Sequence, residues 1–504
     1  MGWVLPDIVR ANAARWPHDE ALACEDTRLT WEQLDQRSSR VANALIGEGL
    51  RPGERVAVLA RNNAEFFEVA FGTAKAGGIT VSLNWRLAAI ELAELLADAA
   101  PTVLIIEDEF AELVAGSTSE EVRTVRYGEQ YETWIDAVSS EDPAVPVNGG
   151  DTAYLLYTSG TTGRAKGIEI THANLHLSER MAREGFCMDP SSVHMCPGPQ
   201  FHIAGAGTGL MAMFVGGRTV IMREATPELL LRTIEREGVT HAFMVPAIIQ
   251  AVLAAPELQK RDVSSLKQIS YGAAPMTESM LTRAIEALGC DFLGVYGMTE
   301  AAGTVVVLRP EDHEPSGPRA RLLGSVGKPL PWMQLYIADP ATGDRREVGQ
   351  VGEIVLRGGQ VTPGYWRQPD ITKQSIDSDG WFRTGDGGYL DADGYLFLKD
   401  RIKDMIISGG ENVYPAEVEN ALAYHPDVAD VSVIGIPHDR WGETVRAIVV
   451  AREGTPSDES EIVEFACTRL AKYKCPTSVV FVDALPRNPS GKVLKQILRQ
   501  QYGT

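Results

Sequence analysis

No apolar run in this chain is long enough to cross a bilayer. The stretch Ile203 to Gly217, free of charge and of histidine, falls short of the roughly 20 apolar residues a membrane helix needs, and its Gly and Ala content predicts a buried helix instead. Cysteine is scarce: the six at 24, 187, 196, 290, 467 and 475 form no C-x-x-C pair, which excludes a zinc ribbon and a disulfide scaffold and predicts reduced core residues. Positive charge is also short, with 47 Lys and Arg against 68 Asp and Glu and a net charge of −21. Nucleic-acid and anionic-membrane partners, which demand clustered cations, are thereby excluded. The start, MGWVLPDIVRANAARWP, has no basic region followed by an apolar stretch, so export is not expected and a cytoplasmic protein is. There is no G-x-x-x-x-G-K-[ST] phosphate loop, no G-x-S-x-G elbow and no setting for a cysteine nucleophile, so neither a kinase-like site nor an enzyme-bound covalent intermediate is expected. His172 and His176 stand four apart without the Glu of a zinc-protease pattern and read as part of a surface helix. Gly205 to Leu210 lacks the final small residue and the long preceding strand of a dinucleotide fingerprint.

What is present is apolar material for large cores: 44% hydrophobic residues in 504, enough for two to four compact units. From Arg55 to Asp108, VAVLA, NAEFFEVAFGTAKAG, ITVSL, LAAIELAELLADAA and TVLIIED alternate between strand and helix periods. The rhythm resumes at VIM (220), HAFMV (241), QISYG (268) and FLGVYG (292), with helices near 227–237 and 277–288 between them. Parallel sheets covered by helices follow, an α/β fold class. Between about 320 and 400 the texture changes to short alternating strands, including the hairpin-like YLDADGYLFL, a small β-rich, barrel-like subdomain. After Asp400 comes an α+β module, with helices at Pro415 to Tyr424 and near 458–472 and strands DVSVIGI, VRAIVVA and SVVFVD. The expected domains are 1–402 and 403–504.

The eleven residues YTSGTTGRAKG, Tyr157 to Gly167, carry the densest chemical signal. Glycines at 160, 163 and 167 let successive N–H groups point inward, Thr158, Ser159, Thr161 and Thr162 add hydroxyl donors, and Lys166 adds a compact cation. Such a loop suits a polyphosphate. It resembles the phosphate-binding signature of the adenylate-forming enzymes, the family of acyl-CoA synthetases, carrier-protein adenylation domains and beetle luciferases. Later motifs share the resemblance in the family's order: YGMTE (296–300), WFRTGD (381–386), KDRIKDMIISGGENVYPAEVE (399–419) and PRNPSGKVLK (486–495). Two departures are small: Ala165 where the family often has Pro, and Gly387 where a larger apolar residue is common.

The resemblance implies a role for each matching position. Thr158, Ser159, Gly160, Thr161, Thr162, Gly163 and Lys166 would hold the phosphates of ATP. Gly272, Ala273 and Ala274 would let backbone approach the adenine, on which Tyr296 would stack, with Gly297 beside it. Thr299 would contact phosphate and Glu300 would hold Mg2+, a hard cation suited to a carboxylate. Asp386 can accept from both ribose hydroxyls, and Arg401 would share them. Lys403 would be a hinge. Ser408, Gly409 and Gly410 would pass the narrow arm of coenzyme A. Lys492 would neutralise charge developing between the acid and the α-phosphate. His202 reads from its neighbours as a core residue and from the resemblance as a gate beside the acyl pocket.

The implied activity is an acyl-CoA synthetase reaction: a carboxylate attacks the α-phosphate of ATP, giving acyl-AMP and pyrophosphate, and the CoA thiol then displaces AMP. Small residues Ala204, Gly205 and Gly207 suggest a roomy acyl tunnel and a medium or long fatty acid, with an aryl, alicyclic or steroid-derived acid as the alternative. An amino-acid adenylation enzyme would need an acidic partner for the substrate amine, and Phe201 to Gly205 offers none. A binding protein without catalysis would have lost Lys166, Glu300, Asp386, Arg401 or Lys492, and all are present. A homo-oligomer is left open.

Overall fold

The strand and helix periods between Arg55 and Asp108 fold as read. Strands Arg55–Leu59, Ile79–Ser82 and Val103–Ile106 alternate with helices Glu65–Lys75 and Ala89–Ala99 in a computed structural model. It describes residues 2–117, 122–158, 165–274, 276–401, 404, 406–408, 411–438, 441–455, 458–470, 472–488 and 492–503, with backbone alone at 400, 401, 407, 411 and 412. These strands are parallel neighbours in a six-stranded sheet, whose far edge is Thr152–Thr158 followed by the antiparallel Lys166–Thr171. Apolar residues on both faces, such as Val56, Ala57 and Val58, are buried, as a sheet covered twice by helices requires.

A nine-stranded sheet has Asp291–Met298, Gln268–Gly272, His241–Met244, Val193–Cys196, Arg218–Ile221 and Glu20–Cys24 in parallel at its centre. Its edges are antiparallel: Gly303–Leu308 pairs with Asp291–Met298, a strand the sequence reading did not mark. Local signals set the covering helices. Pro227–Glu237 starts behind Thr226, whose side chain accepts from the Leu229 N–H, and stops at Gly238 with φ 61°, the left-handed conformation glycine adopts without cost. The expected single helix over 203–217 is instead two short ones, Ile203–Gly209 and Met211–Phe214. No described helix is long and apolar enough to cross a membrane.

Met333–Ala338, Gly352–Gly358, Phe382–Leu390 and Leu396–Arg401 form an antiparallel sheet, with Leu390 opposite Leu396 closing the YLDADGYLFL hairpin. Beyond it, Ile406, Val413, Val418, Leu422, Val433, Val445, Val449 and Ile462 build a hydrophobic core to which, among the described residues, none before 406 contributes. Contacts back to the larger part include Tyr424 Oη to Glu278 Oε2 at 3.2 Å and the Gln250 amide to the Ala429 carbonyl at 3.3 Å.

Some expectations are corrected. His172 opens a helix but is 1% exposed, and its Nδ1 accepts from the Leu5 N–H at 3.1 Å; the N-terminal helix covers it. Cys187 and Cys467 are exposed rather than core residues, whereas Cys24, Cys196 and Cys475 are buried.

Burial holds the imidazoles of His172 and His241 down to about 4 and that of His194 down to about 3. Their folded values lie below the unfolded 6.5 or so, so the unfolded chain takes up more protons in that interval and stability present above pH 6.5 is lost as pH falls. At pH 5, before most carboxylates titrate, the loss should be of the order of 2 kcal/mol per histidine. The melting temperature should therefore drop clearly between pH 7 and pH 5; a flat profile over that range would contradict the assignment.

Candidate active site

Thr158 and Lys166 are register partners at the facing ends of antiparallel strands, with Tyr157 opposite Gly167. Ser159, Gly160, Thr161, Thr162 and Gly163, expected to line the loop, lie outside the described residues. The strand leading in is anchored by the Tyr157 hydroxyl, which donates to Asp98 at 2.5 Å. At Gly167 a Cβ would come within 2.9 Å of Leu155 and 3.1 Å of Trp366, so the tight packing there demands glycine. The Lys166 ammonium stands 5.3 Å from the centre of the Tyr365 ring, and the Tyr365 hydroxyl donates to Glu300 Oε1 at 3.2 Å.

Glu300 sits in the turn between Asp291–Met298 and Gly303–Leu308. The chain reverses there through Thr299–Ala301, and Ala302 has φ 48°. A Cβ on Gly297 would overlap the Gly303 carbonyl, so the close approach of the two strands fixes where Thr299 and Glu300 project. Tyr296, 8% exposed, donates its hydroxyl to Asp386 Oδ2 at 2.8 Å. Asp386 in turn lies opposite Arg401 in the Phe382–Leu390 and Leu396–Arg401 pairing; the Arg401 side chain is outside the described atoms. At the end of Gln268–Gly272, a Cβ on Gly272 would overlap the Val295 carbonyl, and Ala273, next to Ala274, has φ 65°. An alanine in that region carries backbone strain of about 1–2 kcal/mol, the kind of cost that concentrates at ligand sites.

Two clusters thus form from strands of three different sheets. Lys166, Tyr365 and Glu300 present an ammonium and a carboxylate, and Tyr296 with Asp386 presents a flat ring and a second carboxylate. A short turn, Thr299, joins them. The ends of sheet strands are where open α/β folds hold ligands.

The chain matches the AMP-binding enzyme family over residues 9–366 and the AMP-binding enzyme C-terminal domain family over residues 417–492. It belongs to the AMP-binding enzymes. This AMP-binding enzyme is 40% identical over 490 residues to a feruloyl-CoA synthase of an Amycolatopsis species, covering 97% of this chain and 96% of that one. It is 38% identical over 499 residues to the fatty acid–[acyl-carrier-protein] ligase ScoC of Streptomyces coeruleorubidus, covering 97% and 95%. Among solved structures it is similar to ATP-bound MatB from Rhodopseudomonas palustris, with a TM-score of 0.92, 30% identity and coverage of 100% and 99%. The fold class read from the sequence, α/β with a small β-sheet subdomain and a separate α+β C-terminal domain, is that of these enzymes.

His202 precedes the helix Ile203–Gly209 of the AMP-binding enzyme, with its ring 4.7 Å from that of Phe201. Its Nε2 is buried without a hydrogen-bond partner among the described residues. Burial, with Arg86 nearby, lowers its pKa to about 4, so the imidazole is neutral at pH 7. The first glycine after it does not open space. A Cβ on Gly205 would overlap the Pro199 carbonyl, so that glycine is required where the helix packs on the preceding turn, whereas one on Gly207 would meet only the side-chain end of Ile203 in the same helix, at 2.9 Å.

In the C-terminal domain, Ser408 pairs with Glu411 and with Gly442 and is 6% exposed. Gly409 and Gly410, and Lys403, expected as a hinge, lie outside the described residues. Lys492 is exposed, its N–H donating to Asn488 Oδ1 at 2.8 Å. Sequence reasoning missed Tyr365, which the structure sets between Lys166 and Glu300. The only signal was PGYWR (363–367), a Gly-aromatic turn after an apolar strand.

Proposed function

We propose that this enzyme activates an apolar carboxylic acid, of the medium or long fatty-acid kind, and that the residues above divide its reaction between two faces. The chain is an AMP-forming acid–thiol ligase. It uses ATP to convert a carboxylic acid to acyl-AMP and pyrophosphate, and then transfers the acyl group to CoA with release of AMP. The observation that carries the assignment of residues is the convergence of Lys166 and Glu300 on one tyrosine, joined by a single turn to Tyr296 and Asp386.

In this reading adenine lies against Tyr296 beside Gly272, Ala273, Ala274 and Gly297, and the ribose hydroxyls bond to Asp386 and Arg401. The triphosphate meets Thr158 to Gly163, Lys166 and Thr299. Glu300 fits Mg2+. It is a hard oxygen donor with one oxygen already oriented by a phenol, and no group of three ligating side chains exists among the described residues, so one carboxylate would share the ion with phosphate oxygens and water. The ion would supply charge neutralisation on the phosphates. His202, neutral and with one nitrogen unpaired, borders the acyl entrance. Lys492 serves the first half-reaction, and Ser408, Gly409 and Gly410 line the thiol channel of the second. One small domain brings both faces to one site by turning at Lys403, so that residues 1–402 and 403–504 move as two bodies.

An aryl or alicyclic acid is the second reading. It is favoured by the 40% identity to a feruloyl-CoA synthase and by the space at Gly205 being taken by the Pro199 carbonyl. Pyrophosphate release should be measured over a graded panel of straight-chain, aryl and alicyclic acids, with and without CoA. We expect release with a subset of acids, and AMP plus acyl-CoA accumulating in quantity only when CoA is added. ADP in place of AMP, or no response to any acid, would overturn the assignment.

A further inference from the structure

The segment Thr362–Trp366 ties together the two elements that carry the opposite charges of the site. The Thr362 N–H donates to the Glu300 carbonyl at 2.7 Å, and its hydroxyl donates to the Glu169 carbonyl at 2.6 Å. The Glu169 N–H reaches the Gly364 carbonyl at 3.2 Å and the Trp366 N–H reaches the Gly167 carbonyl at 2.8 Å. Tyr365 itself bridges to Ile168, its N–H donates to Thr372 Oγ1 at 3.0 Å, and it is 7% exposed. Backbone on both sides therefore holds this ring still. Its two ends do different things: the hydroxyl donates to the Glu300 carboxylate, and the face receives the Lys166 ammonium.

We propose that Tyr365 is a positioning residue for the ATP site, orienting the Glu300 carboxylate through its hydroxyl and the Lys166 ammonium through its ring. The inference rests on the ATP-site reading above. A hydroxyl bonded to one carboxylate oxygen restricts how the group can turn before a cation arrives. An ammonium held against an aromatic face keeps its charge and gives up part of its conformational freedom before the phosphates arrive. One rigid side chain thus sets where a cation and an anion stand relative to each other, and a metal-bearing triphosphate must meet both.

The two functions separate by substitution. Tyr365→Phe keeps the ring and the aromatic face toward Lys166 and removes the hydroxyl that bonds Glu300. Tyr365→Leu loses both. Binding of ATP should be measured by calorimetry in a chelating, metal-free buffer and again with magnesium, alongside the melting temperature. For Tyr365→Phe we expect metal-free ATP to bind within about twofold of wild type and the magnesium complex to bind about tenfold more weakly, the effect of one hydrogen bond to a charged group, at an unchanged melting temperature. Tyr365→Leu should weaken both forms. If that variant does not fold, Tyr365→Phe alone decides. Unchanged binding of the magnesium complex by Tyr365→Phe, or equal loss with and without the metal, would overturn the proposal. Failure of the wild-type protein to bind ATP in either buffer would instead remove the ATP-site reading itself, so the two failures are distinguishable.

Discussion

Lys492→Ala is expected to abolish adenylate formation while leaving the conversion of supplied acyl-AMP and CoA to acyl-CoA close to the wild-type rate. The residue is exposed, and bonds that do not use its side chain hold it: Asn488 Oδ1 accepts from the Lys492 N–H, and the Lys492 carbonyl accepts from the Asn488 N–H, both at 2.8 Å. Arg487 and Val493 form a bridge beside them. Shortening the side chain removes none of these bonds, and an unchanged melting temperature would assign a lost rate to chemistry. A cation aimed at charge that develops only in the transition state contributes about 3–4 kcal/mol, hence a fall of roughly a hundredfold to a thousandfold. The second half-reaction has no phosphorus under attack and does not need it. Equal losses in both half-reactions would sink the assignment.

Asp386→Ala should raise the KM for ATP by about a hundredfold with a smaller change in kcat. Two hydrogen bonds from ribose hydroxyls to one carboxylate are charge-assisted, and each contributes on the order of 1.5–3 kcal/mol. The variant also strips the Tyr296 hydroxyl of the partner at 2.8 Å, loosening the ring proposed to carry the adenine. A control isolates the ribose contribution. Wild-type enzyme should reject 2′,3′-dideoxy-ATP in favour of ATP, and the variant should treat the two nearly alike. Retained discrimination in Asp386→Ala would assign the hydroxyls to another residue.

Elements defined by local chemistry were legible in the sequence. The helix Pro227–Glu237 is announced by Thr226 and ended by Gly238, and the Asp-Gly turn of YLDADGYLFL forces a hairpin in register. The motifs at 157–167, 296–300 and 381–386 were readable because each packs several unusual residues into a few positions. Features created by distant chain were not. Tyr365 acquires its partner Glu300 across 65 residues, and its own neighbourhood reads as an ordinary turn. His172 is buried by Leu5, 167 residues away, which helical spacing could not reveal. Gly205 looked like spare volume, but a small residue marks either an opening or a close approach, and only the position of the Pro199 carbonyl decides between them.

The self-contained apolar interior after residue 405 has a consequence for energetics. Because Val413, Val433, Val445 and their companions bury one another, the proposed re-docking of that portion would leave this interior intact, and the links it would exchange include Tyr424 to Glu278 and Gln250 to Ala429. Proposed orientations that differ by a few such hydrogen bonds would differ by about 1 kcal/mol apiece. Differences so small can be overturned by whichever reactant is bound, so the sequence of chemical steps can be dictated by occupancy alone, with no input from folding stability.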